Sequence, residues 1–203
     1  MNYSELKSSV ADFLNRQDLT AVIPTFISLC EADLNRSVRH RSMLCRATAT
    51  LETQYTSLPA DFLEAKNIQL NSNPVTTLKY VTMEQLDLLK QTYRSSGIPK
   101  YYTIIGDTIE VLPAPAEEYT IELTYYKKLP ALSDSQTGNW LLTSHPDVYL
   151  YGTLMQSAPY LKDDERVGVW GTLYRQFVND LNFASDKAEY SGAFLVARTR
   201  VSL

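Results

Sequence analysis

The chain has 203 residues, of which 44 % are hydrophobic and 21 % charged, with a formal net charge of −4. That composition belongs to a folded chain with a sizeable core, which excludes disorder over the whole length. The acidic balance excludes bulk positive charge as a route to nucleic acid, and no apolar run reaches the roughly 18–20 residues that a membrane span requires.

Asn2 followed by Glu5 forms the pattern of a capping box, and Tyr3, Leu6, Val10, Phe13 and Leu14 share one helical stripe, so a first helix is predicted at the start of the chain. Asp18 stands where it can cap a second helix, in which Val22, Ile23, Phe26, Ile27, Cys30, Leu34 and Val38 recur at helical spacing. Pro24 falls in its first two turns, where a missing amide hydrogen does least damage. From residue 43 the period changes. Residues 43–51 alternate loosely and are rich in Thr, which favours a strand. A Pro-Ala-Asp turn leads to a second strand over 65–70, the 71–74 segment turns, and a third strand is predicted over 75–81.

Thr82 and Gln85 make a second capping box, opening a short helix with Leu86, Leu88 and Leu89 on its apolar face. Three strands follow over 100–105, 108–112 and 119–126, the first two joined by a two-residue hairpin at Gly106-Asp107. Ser144 is read as the cap of a further helix, with Pro146 and Asp147 in its first turn and Val148, Tyr151, Leu154, Met155 and Ala158 on its apolar face. A sharp turn over 159–164 ends it. Asp163 or Asp164 then caps the last helix, whose stripe runs through Val167, Trp170, Leu173, Tyr174, Phe177, Val178 and Leu181. The tail over 192–203 is charged only at Arg198 and Arg200 and has the composition of a strand.

Helices at both ends must bury their stripes, and they do so most simply against one another. The expected fold class is therefore α+β: a helical bundle formed by the N- and C-terminal helices, with a central β-rich insertion and an extended C-terminal tail. The expected boundaries are 1–42 for the N-terminal helices and 43–132 for the insertion with its one short helix. The C-terminal helices take 133–190 and the tail 191–203.

Groups that converge for catalysis are scarce. Cys30 and Cys45 lack a CxxC spacing and the start of the chain lacks the features of a signal peptide, so both thiols are expected to stay reduced and packed in a protein kept in the cytosol of its producer. His40 and His145 stand near neither each other nor a cysteine pair in sequence, so neither a metal nor any other cofactor is expected. The run Asp163-Asp164-Glu165 has the residue types of a glycosidase carboxylate pair, but acids in the first turn of a helix are what the macrodipole favours. Glu117-Glu118 reads as a solvated turn. Chemistry aside, Arg36, Arg39, Arg41 and Arg46 form a basic cluster suited to DNA phosphates, to an acidic partner or to the C-terminus of a helix. Fourteen tyrosines against seven glycines suit surfaces that are part core and part interface. Phe194, Val196, Val201 and Leu203, interleaved with Arg198 and Arg200, suit β-augmentation of a partner or a last strand of the chain's own sheet. No heptad repeat marks a two-fold coiled-coil dimer.

Two blocks, YSELKSSVADFLNRQDLTAVIPTFISLCEADLNR and LPALSDSQTGNWLLTSHPDVYLYGTLMQSAPYLKDDERVGVWGTLYRQFVNDL, resemble the head-to-tail adaptor (connector) proteins of short-tailed bacteriophages. The second is the more specific. The resemblance covers most of the chain and implies a structural virion protein rather than an enzyme. It implies a ring, typically of twelve copies, below the portal protein in the neck between capsid and tail, assembled in the host cytoplasm. Such a ring extends the channel for passing genomic DNA, without sequence specificity, and docks the next tail or nozzle protein. Under that reading Tyr151, Trp170, Tyr174 and Phe177 are candidates for subunit packing, the four arginines for channel or intersubunit contacts, and the tail residues for the portal. A stopper-like neck protein, presenting the 71–74 turn or the 133–139 loop to the channel, and a tail-associated cell-wall hydrolase are the alternatives.

Overall fold

The first capping box forms as read: Glu5 N–H donates to Asn2 Oδ1 at 2.9 Å while Asn2 N–H donates to Glu5 Oε2 at 3.0 Å. Helix α1 (Tyr3–Leu14) starts there and ends on Asn15, whose left-handed backbone (φ 52°) is one that Asn tolerates. A computed structural model describes residues 1–161 and 166–191. In it the chain forms two compact units, residues 42–128 and the segments on either side of them.

In the helical unit α1 is followed by α2 (Ile23–Ser37), α4 (Trp140–Ser144), α5 (Pro146–Leu161) and α6 (Arg166–Glu189). Asp18 does not cap α2. It lies in a 3-10 turn, bonded by Arg16 at 2.6 and 2.7 Å, and Val22 takes the cap position with Pro24 in the first turn. A proline in that turn sets the start of the helix without any side-chain cap. Ser144 does not cap the next helix either. It is the last residue of α4, whose cap is Asn139 accepting from Leu142 N–H at 2.9 Å. Pro159 lies inside α5 rather than in a turn. Near the end of a helix a proline removes a single bond, which the packing of α5 tolerates. The cap read at Asp163 or Asp164 lies outside the described residues.

Helix α5 packs against α1, α2, α4 and α6. It buries Val148, Tyr149, Gly152, Thr153, Leu154 and Ser157, so the stripe read through Tyr151, Met155 and Ala158 is displaced around the helix. A helix covered on several sides has no single apolar stripe for periodicity to find. Gly152 is where the helices come closest: a Cβ there would lie 2.5 Å from Cys30 Sγ and 2.8 Å from the Tyr174 ring.

The β unit holds two four-stranded sheets. One runs in the order β1 (Leu44–Leu51), β8 (Tyr119–Lys127), β3 (Phe62–Leu70), β4 (Thr76–Thr77), the other β2 (Tyr55–Ser57), β7 (Thr108–Leu112), β6 (Tyr101–Ile105), β5 (Lys79–Tyr80). All neighbours are antiparallel except β5 and β6. Leu51, Ile68, Leu70, Val111, Ile121 and Leu123 are among the residues of the core that the two sheets share. The strand read over 75–81 is two strands in different sheets: Leu78 N–H donates to Ile68 O at 2.9 Å and Lys79 N–H to Lys100 O at 2.9 Å. The chain steps from one sheet to the other at Leu78, which is buried in the core. Helix α3 (Met83–Thr92) carries the second capping box, Gln85 N–H bonded to Thr82 Oγ1 at 3.3 Å. Of its apolar residues Leu86 is buried, whereas Leu88 is exposed. Gly106 turns the hairpin between β6 and β7 with φ 62°. The short β2, between Leu51 and the Pro-Ala-Asp turn, was not foreseen, since three residues carry no period.

Candidate functional site

The interior of the helical unit is organised by a carboxylate that sequence reading passed over. Glu31 falls on the apolar face of α2 between Ile27 and Leu34 and is buried. Its Oε1 accepts from Leu132 N–H at 2.8 Å and from the Tyr149 hydroxyl at 3.3 Å. Asn139 Nδ2 donates to that hydroxyl at 2.7 Å and to Pro130 O at 2.9 Å. Burial pushes the Glu31 carboxyl above its ordinary range, while the bonds from Leu132 and Tyr149 oppose the shift. The network ties α2, α4, α5 and the segment over 129–139 together, and its members are enclosed rather than open to a substrate. An acid on an otherwise apolar helical face was the available signal.

The four arginines do not share one element. Arg36 pairs with Asp33 at 3.2 Å, and Asp33 also accepts from the buried Tyr174 hydroxyl at 2.7 Å. Arg39 Nη1 folds back onto the carbonyls of Asn35 at 2.9 Å and Val38 at 2.8 Å, satisfying the end of α2. The backbone beyond α2 is docked on α6, Arg39 N–H on Asn182 Oδ1 at 3.0 Å and Arg41 N–H on Ser185 Oγ at 2.9 Å. Arg46 belongs to the other unit, on β1, with Glu122 3.8 Å away. Arg36 and Arg41 are exposed at the end of the helical unit where α2 finishes.

Of the four residues read for subunit packing, Trp170 and Tyr174 are buried in the chain's own core. Tyr151 and Phe177 are half-buried and meet each other at 5.7 Å between ring centroids, with Phe13 6.4 Å from Tyr151. A different set, on α6 and at the residue just past its end, faces outward. Val169, Phe183 and Tyr190 are 60 %, 70 % and 70 % exposed. Val169 and Phe183, separated by a multiple of seven residues, stay within about 40° of one another around the helix. They occupy one position of a heptad without the second that a coiled coil needs. Helix α6 therefore carries one buried apolar stripe and, with Tyr190 just past its end, a second that is exposed among the described residues.

The fold brings the two histidines together. His40 stacks on Trp140 at 4.8 Å, and His145 lies edge-on at 6.4 Å from it. They border a groove of about 290 Å³ with Asp147, Phe177, Asp180 and Leu181. Burial lowers the His40 pKa, and the neighbouring His145 and Arg41 lower it further, so the ring is neutral at neutral pH. The stack makes His40 a packing residue, and His145 N–H, bonded to Leu141 O at 2.7 Å, closes α4. Glu117 and Glu118 are exposed. Asp163, Asp164 and Glu165 lie outside the described residues, as do Phe194, Val196, Arg198, Arg200, Val201 and Leu203.

A family model described as SU10 adaptor protein matches residues 1–200. No curated protein matches the chain.

Proposed function

The chain belongs to the SU10 adaptor protein family and is a phage adaptor protein, and we propose that it acts as one subunit of a closed ring in the neck of the virion. Such a ring sits below the portal, carries the DNA channel onward and offers its far face to the next tail component. The observation that carries the ring is the outward apolar set of Val169 and Phe183 on α6 and Tyr190 just past its end, exposed rather than buried in the chain's own core. A stripe on one helix met by a different surface of the next copy is a heterologous contact, which closes into a ring when the rotation allows. At roughly 25 cal/mol per Å² of apolar surface, an interface of standard size holds such a ring without any dominant residue. Tyr151 and Phe177 extend the packing surface; Trp170 and Tyr174 support it from inside. Arg36 and Arg41 face a neighbour's acids or the phosphates of passing DNA, Arg46 does so from the β unit, and Arg39 holds the end of α2. The tail residues Phe194, Val196, Arg198, Arg200, Val201 and Leu203 engage a partner.

Native mass spectrometry of the purified chain, alone and with portal, tests this reading. Twelve copies in the presence of portal is the expected result. A two-fold dimer whose mass portal does not change overturns it.

A further inference from the structure

The chain passes between the two sheets of the β unit on both sides. On one side it crosses at Leu78, bonded to Ile68 in one sheet, and at Lys79, bonded to Lys100 in the other. On the other side it runs from the end of β1 through residues 52–54 into β2, and beside that crossing lie two free edges: β1, which pairs with β8 alone, and β2, which pairs with β7 alone. Between these edges runs a groove of about 200 Å³. Its floor is core (Ile109, Ile121 and Leu123); one wall is Ala47, Thr48 and Ala49 of β1, the other Thr56 and Ser57 of β2 with Leu58 and Pro59 just after it.

Edge strands are normally protected by being short, bulged, charged or broken by proline. Strand β1 has 8 residues, pairs with β8 without a register shift, and carries one charge, Arg46. It is an unprotected edge beside an apolar slot, the arrangement in which an extended peptide adds as a strand and gains affinity from main-chain hydrogen bonds.

We propose that the groove between β1 and β2 receives residues 192–203 of a neighbouring copy as an added strand; this rests on the ring reading above. The pattern of that segment supports it. In a strand alternate residues face opposite sides. Leu195, Ala197, Thr199, Val201 and Leu203 then form one uncharged side, fit to face the slot, while Arg198 and Arg200 both fall on the other. Twelve residues extend to about 40 Å, longer than the edge they would pair with. Every copy owns one slot and one such segment, so donation from each subunit to the next fills all slots only when the ring closes.

The test uses the full chain with portal. Ala49→Cys is combined with Ala197→Cys in a Cys45→Ser background, Cys30 being buried, and treated with a short bismaleimide. Ala49 is exposed, so the fold should survive, which circular dichroism checks. The expected product is a ladder of linked chains up to the copy number of the ring. A fluorescent peptide of residues 192–203 should reduce that ladder at least fivefold in excess, and Ala49→Arg should weaken peptide binding at least tenfold. Native mass of the untreated sample reports the ring separately. Intact rings without a ladder, or with only internally linked single chains, overturn the strand addition and leave the ring standing. Peptide captured by portal and not by the adaptor overturns it too, and assigns the segment to portal. Monomers throughout overturn both readings.

Discussion

A carboxylate on the buried face of α2 loses its water, and Glu31 offsets that loss by accepting from Leu132 N–H and the Tyr149 hydroxyl. Removing it therefore exposes two requirements at once. Glu31→Ala leaves both donors unpaired inside the bundle and should cost about 1–3 kcal/mol. Glu31→Gln keeps an acceptor and removes the charge. Because burial raises the Glu31 pKa, the folded chain keeps that proton to higher pH than the unfolded chain does. The resulting contribution is complete below the ordinary carboxylate range and is lost as pH rises through the folded value. Urea unfolding across that window should show a falling stability for the parent chain and a flatter profile for Glu31→Gln. Gly152 is the other residue with no tolerance. An added methyl would meet Cys30 Sγ and the Tyr174 ring, so Gly152→Ala should lower stability by about 1–3 kcal/mol, seen as a lower Tm. Neither residue belongs to a motif, and each became visible only through its neighbours in space.

At the scale of elements, α6 separates what holds the subunit together from what it presents. Trp170 is buried and lies with the Arg166 guanidinium 5.1 Å from its ring. Trp170→Ala should cost about 3–5 kcal/mol and compromise the fold. Phe183→Ser with Tyr190→Ser changes only exposed side chains, so the stability should stay within about 0.5 kcal/mol of the parent while ring formation is lost. Calorimetry and sedimentation, run on the same preparations, distinguish the two outcomes. Local signals read these elements unevenly. Both capping boxes formed because their partners are three residues apart and need nothing else. The apolar face of α5 was misplaced because four other helices cover it. Trp170, Tyr174 and Phe177 of the candidate packing set follow the inner stripe of α6, whereas the exposed residues of that helix, separated by polar ones, blend into an ordinary solvated face.

For the molecule as a whole, the insertion enters by β1 and leaves by β8, and these strands pair along their length, with Leu44 opposite Tyr126. Its two ends are therefore adjacent, and all the residues of its core lie within 42–128. A fragment of residues 42–128 should fold alone, giving a single cooperative transition by circular dichroism; a non-cooperative melt would show that the unit depends on the helices. The α+β class, the helices at both ends, the hairpin at Gly106 and the likeness to phage adaptors were all legible in the chain, because each rests on residues close together in sequence or on a recognisable order of them. Tertiary structure alone decided that residues 75–81 change sheets at Leu78, that Glu31, Tyr149 and Asn139 meet, and which apolar residues of α6 stay outside. It also decided that β1 and β2 remain open edges. These features depend on pairings between distant segments, and burial, hydrogen bonding and contact are properties of such pairs that no local pattern encodes.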